Sequence, residues 1–181
     1  DARDVEVWAS QLRSAVDLSR SLREGLVQRG AYAAGIAALD QRFVYTHKGR
    51  FDADYGHPVQ LPHAIAIVFL VEMDFGAMQH APGAPVIAES ARQYLRAAQL
   101  ALTLATALRA AGFNAKAHYD AHYDVILPPL AVAAGLGEMG RHNILVADRA
   151  GTRVRIGAVT TDAPLVAPRP VSLGVERFCR I

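Results

Sequence analysis

The chain has 181 residues, of which 52% are hydrophobic and 20% charged, which is long and apolar enough to bury a substantial core as a single domain, 1–181. Formal net charge is +2 with no dense run of Lys and Arg, so the electrostatic footprint of a nucleic-acid binder is missing and no nucleic-acid partner is expected. The longest apolar run, Ala64 to Val71, has eight residues, far short of the roughly 20 that a membrane-spanning helix needs. A single cysteine, Cys179, excludes an intrachain disulfide framework and fits a reducing compartment, so a soluble, cytoplasmic protein is expected.

Val5 to Gln28 has helical spacing, with Trp8, Leu12, Leu22 and Leu26 on one stripe. Tyr32 to Leu39 is small and apolar, ambiguous between helix and irregular structure. Asp40 to Leu61 mixes charges, aromatics, Gly and Pro58 and reads as a long surface loop, with a short strand at Phe43 to Tyr45. These first 62 residues are the least defined part of the pattern. His63 to Glu72 is a continuous β-branched and apolar run, a pattern that fits a central strand covered on both faces. After a Gly/Pro-rich loop, Val86 to Ala111 reads as a helix whose expected inward stripe is Ile87, Ala91, Tyr94, Leu95, Ala98, Leu102, Ala105 and Leu108. A strand is expected around Ala115 to Tyr119, and beyond Asp162 the prolines at 164, 168 and 170 suggest an extended tail, 163–181.

The segment from Leu127 to Leu165 carries the densest signals. Gly135, Gly137 and Gly140 fall within six residues and mark an irregular, closely packed loop with Glu138 and Arg141 embedded in it. Ile144 to Val146 reads as a strand, Asp148 to Gly151 as a turn, and Arg153 to Thr160 as a second strand. There Val154, Ile156 and Ala158 alternate with Arg153, Arg155 and Gly157, so one face is apolar and the other bears two guanidinium groups. The alternation of helices and strands gives the class α/β or α+β, a central mixed sheet flanked by helices.

Four stretches, Glu89 to Tyr94 (ESARQY), Gly135 to Asn143 (GLGEMGRHN), Arg153 to Leu165 (RVRIGAVTTDAPL) and Gly174 to Cys179 (GVERFC), resemble in order and spacing the corrinoid-dependent reductive dehalogenases. Epoxyqueuosine reductases look similar over the glycine loop and the TD element, but more typically carry Trp and Lys where this loop has Glu138-Met139 and Arg141. The resemblance implies a nitroreductase-like core, a base-off cobalamin, an organohalide substrate, and an electron donor such as a ferredoxin or reductase module. In that family the GVxxFC element leads into a ferredoxin-like module. A cubane cluster takes four thiolates, so [4Fe-4S] clusters are expected only if the chain continues beyond Ile181, with Cys179 as a first ligand.

Removing halide and adding a proton to carbon needs electrons and a proton donor. A phenol beside a cation suits the second task, because nearby positive charge stabilises phenolate. Tyr94 matches the family's tyrosine, although a tyrosine on a helix stripe is most often core. Arg155 is the expected cationic partner, with Arg153 two residues away on the same face; the bland alternative is a pair of arginines on the solvent side of an edge strand. Gly135, Gly137 and Gly140 are expected to bring backbone close to the corrinoid, and Arg141 and His142 to meet its amides or phosphate. Thr161 is a further candidate for the cofactor, or with Thr160 and Asp162 a turn device. His118 and His122 have a zinc-like i, i+4 spacing, but on a strand and loop the rings would not converge and no third ligand is evident. Tyr119 and Tyr123 remain candidate pocket liners. The expected function is therefore a corrinoid-binding core that dehalogenates an organohalide, a halogenated aromatic by preference. The rivals are an epoxyqueuosine-reductase-like enzyme and a non-catalytic corrinoid-binding or trafficking module.

Overall fold

The computed structural model describes residues 15–51, 53–167 and 172–180. Helix α1, Ala15–Gln28, is the visible part of the expected N-terminal helix; the remainder of Val5 to Gln28 lies outside the described residues. The ambiguous segment is neither helix nor irregular. It forms strand β1, Ala33–Ala38, antiparallel to strand β2, Ile65–Glu72, from Ala33 opposite Leu70 to Ala38 opposite Ile65. Its alanines and glycine carry little strand preference of their own, so the pairing with β2 decides. The loop after β1 contains a short 3-10 helix, Gln41–Phe43, and in place of the expected strand a single bridge between Val44 and Val125.

A four-residue helix α2, Phe75–Met78, precedes the long helix α3, Ala84–Ala110, which starts with Pro85 in its first turn. Strand β3, Ala115–His118, helix α4, Leu127–Ala133, strands β4, Glu138–Met139, and β5, Leu145–Val146, strand β6, Val154–Thr161, and helix α5, Val175–Phe178, complete the order. The main sheet runs β1-β2-β6-β3 and every pairing in it is antiparallel, so the class is α+β and the sheet is not mixed. Strands β4 and β5 form a separate two-stranded ribbon. Among the described residues no helix is long and apolar enough to cross a membrane.

Strand β2 explains the layering. Its alternate residues Ile67, Phe69 and Val71 pack into one core with α1 and α3, whereas Ala66, Val68 and Leu70 pack into a second core with α4. Residues paired across antiparallel strands share a face, and Val71 pairs with Arg155, Phe69 with Gly157, Ile67 with Val159. The arginine-bearing face of β6 therefore looks at α3, inside the molecule, and β6 is an interior strand rather than an edge. Gly157 lacks the side chain that would overlap the buried Phe69 ring.

The stripe by which α3 meets the sheet is rotated from the expected one. Glu89, Gln93, Ala97, Leu100, Ala101, Leu104 and Ala107 are buried, and of the predicted set only Ala105 and Leu108 are. Ile87, Leu95 and Leu102 face outward. Two facts misled the hydrophobic pattern. Alanines occur on every side of this helix, and its first buried turns carry polar residues satisfied internally. Glu89 accepts hydrogen bonds from the Asp74 amide at 2.9 Å and from Gln93 Nε2 at 2.7 Å, and pairs with Arg92 at 2.8 Å. These partners, the Asp74 amide foremost, hold its carboxyl below the usual value.

Candidate active site

The rotation of α3 sets Tyr94 at the edge of the core, 37% exposed. Arg155, reaching from β6, lays its guanidinium over the Tyr94 ring, 4.7 Å from the centroid, and donates through Nη2 to Ser90 Oγ at 3.0 Å. Ser90 and Tyr94 are one helical turn apart, so a single face of α3 grips the arginine from two sides. The Arg155 Nε is buried and has no hydrogen-bond partner, although buried donors are almost always satisfied. An unsatisfied charged donor beside an exposed phenol face is the feature of this region that most plainly asks for a ligand.

Tyr94 and Arg155 line a cavity of about 310 Å3. Its apolar wall comes from Leu127 and Pro128 at the start of α4, Ile144, and Val154 and Ile156 on β6, and Asn143, Asp120, Tyr45 and Tyr123 complete the rim. Tyr45 and Tyr123, with ring centroids 6.0 Å apart, also border a neighbouring cavity of about 440 Å3. Burial, with Tyr123 adding to it, raises the Tyr45 hydroxyl above its ordinary value, so this wall is a neutral phenol. Arg50 lies over the Tyr123 ring at 5.4 Å and 4.0 Å from Asp120. Tyr45, Ser90, Asp120 and Asn143 were not singled out from sequence; only the i, i+4 spacing of Ser90 and Tyr94 within ESARQY offered a signal, and Tyr45 came from a loop with none.

Arg153 does not reach this cavity. Its Nη1 donates to the Met73 carbonyl at 2.7 Å, its Nη2 pairs with Glu72 at 3.0 Å, and the guanidinium lies 5.2 Å over Phe75. The glycine loop lies beside the cavity and its packing is with protein. Gly135 ends α4 with φ of 75°. Gly137 sits so close to the Val146 carbonyl that a Cβ would overlap it, and at Gly140 a Cβ would meet the His142 ring. His142 Nδ1 accepts from the Ile144 amide at 3.2 Å. Thr161, at the far end of β6, gives its hydroxyl to the Asn114 carbonyl at 2.7 Å and accepts from the Ala163 amide at 3.2 Å.

The loop and the tail, distant in sequence, are tied together. Glu138 accepts from the amides of Leu173 at 2.9 Å and Val175 at 2.6 Å, and Arg141 Nη1 donates to the Cys179 carbonyl at 3.0 Å. Hydrogen bonds from the tail, Ser172 first, hold the Glu138 carboxyl below its usual range. Cys179 follows α5 as a free thiol of intermediate exposure. No group of three potential metal ligands occurs among the described residues. His118 and His122 are separated by environment: His118 is wholly buried, and His122 stacks on Phe51 at 5.2 Å.

No protein-family model matches the chain. A tetrachloroethene reductive dehalogenase of Desulfitobacterium hafniense is 34% identical over 139 residues, 76% of this chain and 24% of that protein. A second from the same species is 28% identical over 208 residues, covering 94% of this chain. The chain belongs to the reductive dehalogenase family. A solved catabolic reductive dehalogenase, in complex with 3-bromo-4-hydroxybenzoic acid, superposes with a TM-score of 0.81 at 28% identity, over 94% of this chain and 24% of its own. The epoxyqueuosine reductase of Streptococcus thermophilus shares the fold, with a TM-score of 0.59 at 11% identity over 87% of this chain and 49% of its own. This reductive dehalogenase homologue spans 37% of the length of two of the curated relatives it matches and 24% of others.

Proposed function

We propose that this chain is the corrinoid-binding catalytic core of a reductive dehalogenase that removes halide from an organohalide, a halogenated aromatic by preference, with Tyr94 as proton donor. The observation that carries the reading is the Tyr94–Arg155 stack at the cavity, with the Arg155 Nε left unsatisfied. The tyrosine face, the free guanidinium donor and the apolar wall fit the edge of a large, flat, amide-fringed macrocycle together with a hydrophobic substrate. A solved relative described as B12-dependent supports the choice of cobalamin.

The overall change is R–X + 2e− + H+ → R–H + X−. Bound cobalamin supplies the reducing equivalents, drawn from an iron–sulfur donor. Tyr94 delivers the proton through its hydroxyl to the carbon that loses halide. Arg155, lying over the ring face, stabilises the phenolate left behind, because the extra charge spreads onto the ring. Ser90 holds the guanidinium in place during that step. Tyr94 is open enough to regain its proton from solvent. Leu127, Pro128 and Ile144 hold an apolar substrate and limit competing water.

In this reading Gly135, Gly137, Gly140, Arg141 and His142 shape the rim toward the corrinoid by fixing the loop that presents Asn143 and Ile144. Thr161 takes no part, its hydroxyl being engaged by Asn114 and Ala163. Arg153 supports the strand end. Cys179 serves as one thiolate of a cluster whose other ligands lie elsewhere. The chain works as one domain in the reducing cytoplasm. Titration of cobalamin into the full chain, followed by visible absorption and equilibrium dialysis, should give saturable one-to-one binding. Bound flavin with no corrinoid affinity would overturn the reading in favour of a flavin reductase.

A further inference from the structure

Beyond the two cavities already described, another cleft of about 260 Å3 opens between the C-terminal end of α3 and the edge strand β3. It is lined by Lys48, Arg109, Lys116, Tyr119 and His122, with Leu102 and Ala117 as its apolar part. Arg109 lies fifteen residues along α3 from Tyr94, which at 1.5 Å per residue puts the two about 22 Å apart.

The charge balance of this cleft is unusual. The carboxylate of Asp124 is 1% exposed, and both its oxygens are taken, Oδ1 by Lys48 Nζ and Oδ2 by Lys116 Nζ. Two ammonium groups thus share one buried carboxylate. Arg109 adds a third cation, held by its Nη1 bond to the Ala115 carbonyl at 3.2 Å. No acidic side chain lines the cleft among the described residues. Each ammonium has three donors and spends one on Asp124, so donors and surplus positive charge remain for a ligand. Lys48 and Lys116 are 33% and 44% exposed in their side chains, so those donors are reachable. A carboxylate monoanion would meet only part of this array, whereas a tetrahedral phosphoryl group offers several acceptor oxygens and up to two charges.

We propose that this cleft is a phosphoryl-binding site, in which Lys48 and Lys116, pinned by Asp124, and Arg109 grip a phosphate ester or inorganic phosphate, with Tyr119 and His122 against the group that bears it. The phosphate could be that of a corrinoid nucleotide tail or of a separate phosphorylated metabolite.

The test is calorimetric titration of inorganic phosphate into the full chain at low ionic strength, alongside Arg109→Gln, Lys116→Gln and the surface control Arg149→Gln. Binding should weaken at least tenfold in each cleft variant, remain unchanged in the control, and fall with added salt. Arg109→Gln leaves the Asp124 pair intact, so it stays informative if Lys116→Gln folds poorly. Competition by cobalamin but not by cobinamide, which lacks the nucleotide and its phosphate, would support the site with the corrinoid tail as its source. Phosphate binding that cobalamin does not disturb would support it with a separate phosphorylated ligand. Failure to bind phosphate, or binding that Arg109→Gln and Lys116→Gln leave unchanged, would overturn it. Because phosphate binding needs no corrinoid, a chain that holds phosphate here yet ignores cobalamin sinks the dehalogenase reading and spares this one.

Discussion

Protonating His118 should cost the folded chain about 3 kcal/mol, and the hydrogen bonds show why. His118 Nδ1 accepts from the Asp124 amide at 3.2 Å, so that nitrogen carries no proton. Nε2 therefore bears it and donates to Thr160 Oγ1 at 2.8 Å, and the Thr160 hydroxyl also bonds His63 Nδ1 at 2.8 Å. A second proton on His118 would oppose the Asp124 N–H in a wholly buried position. Burial is the main cause that lowers the His118 pKa from 6.5 to about 4; the Asp124 carboxylate opposes it, and the surrounding lysines and His63 add to it. The folded value lies below the unfolded one, so the neutral ring's contribution is fully present above pH 6.5 and is lost as pH falls toward 4. Linkage gives a loss of about 2 kcal/mol by pH 5 and about 3 kcal/mol by pH 4. His63, also lowered chiefly by burial, acts in the same direction. Urea unfolding of the native chain and His118→Gln at steps between pH 7.5 and 4 measures the difference. The variant starts less stable and should lose less over this window. Parallel losses in both proteins would refute the His118 tautomer and the neutral buried ring.

Gly157→Ala should destabilise the chain by about 1–3 kcal/mol through overlap with Phe69, which is enclosed by α3 and cannot yield; an unchanged urea midpoint would contradict that packing. Glu89→Gln keeps the shape but weakens the acceptors for the Asp74 amide and Arg92, at a cost of about 1–2 kcal/mol near neutrality. That cost should shrink as pH falls below the ordinary carboxylate range, because the native carboxyl is held low and its advantage goes when it protonates. Ser90→Ala removes one hold on Arg155. Halide release should fall about tenfold while stability changes by about 1 kcal/mol or less; an unaltered rate would show that Ser90 does not position the guanidinium.

The parts of this structure governed by local pattern were legible beforehand. The apolar, β-branched run from His63 to Glu72 fits a strand buried on both faces, which forms over Ile65–Glu72, and Pro85 and Gly112 bracketed the long helix. The alternation on β6 correctly put its two arginines on one face. What pattern could not supply was the partner of that face. Burial of Glu89 and Gln93 depends on the Asp74 amide, a residue in another element, so the apolar stripe pointed the wrong way round α3. The two arginines, identical by spacing, are separated only by what each meets: Glu72 and Met73 for Arg153, Ser90 and Tyr94 for Arg155. Strand β1 was hidden because alanine and glycine take their conformation from their neighbours. The Lys48–Asp124–Lys116 cluster joins three segments and has no trace in any one of them. Motif resemblance reached further than periodicity, since ESARQY and RVRIGAV meet at the Ser90–Arg155–Tyr94 contact, and the glycine loop and GVERFC meet through Glu138 and Arg141.

The most direct trial of the central claim compares the native chain with Tyr94→Phe, each loaded with cobalamin and chemically reduced by Ti(III) citrate, which replaces the iron–sulfur donor. Halide release from a bromophenol is followed by ion chromatography and corrinoid occupancy by visible absorption. The account predicts equal corrinoid occupancy and a rate at least a hundredfold lower in the variant, the scale of a positioned general acid. Equal rates at equal occupancy would remove Tyr94 from the chemistry and contradict the account.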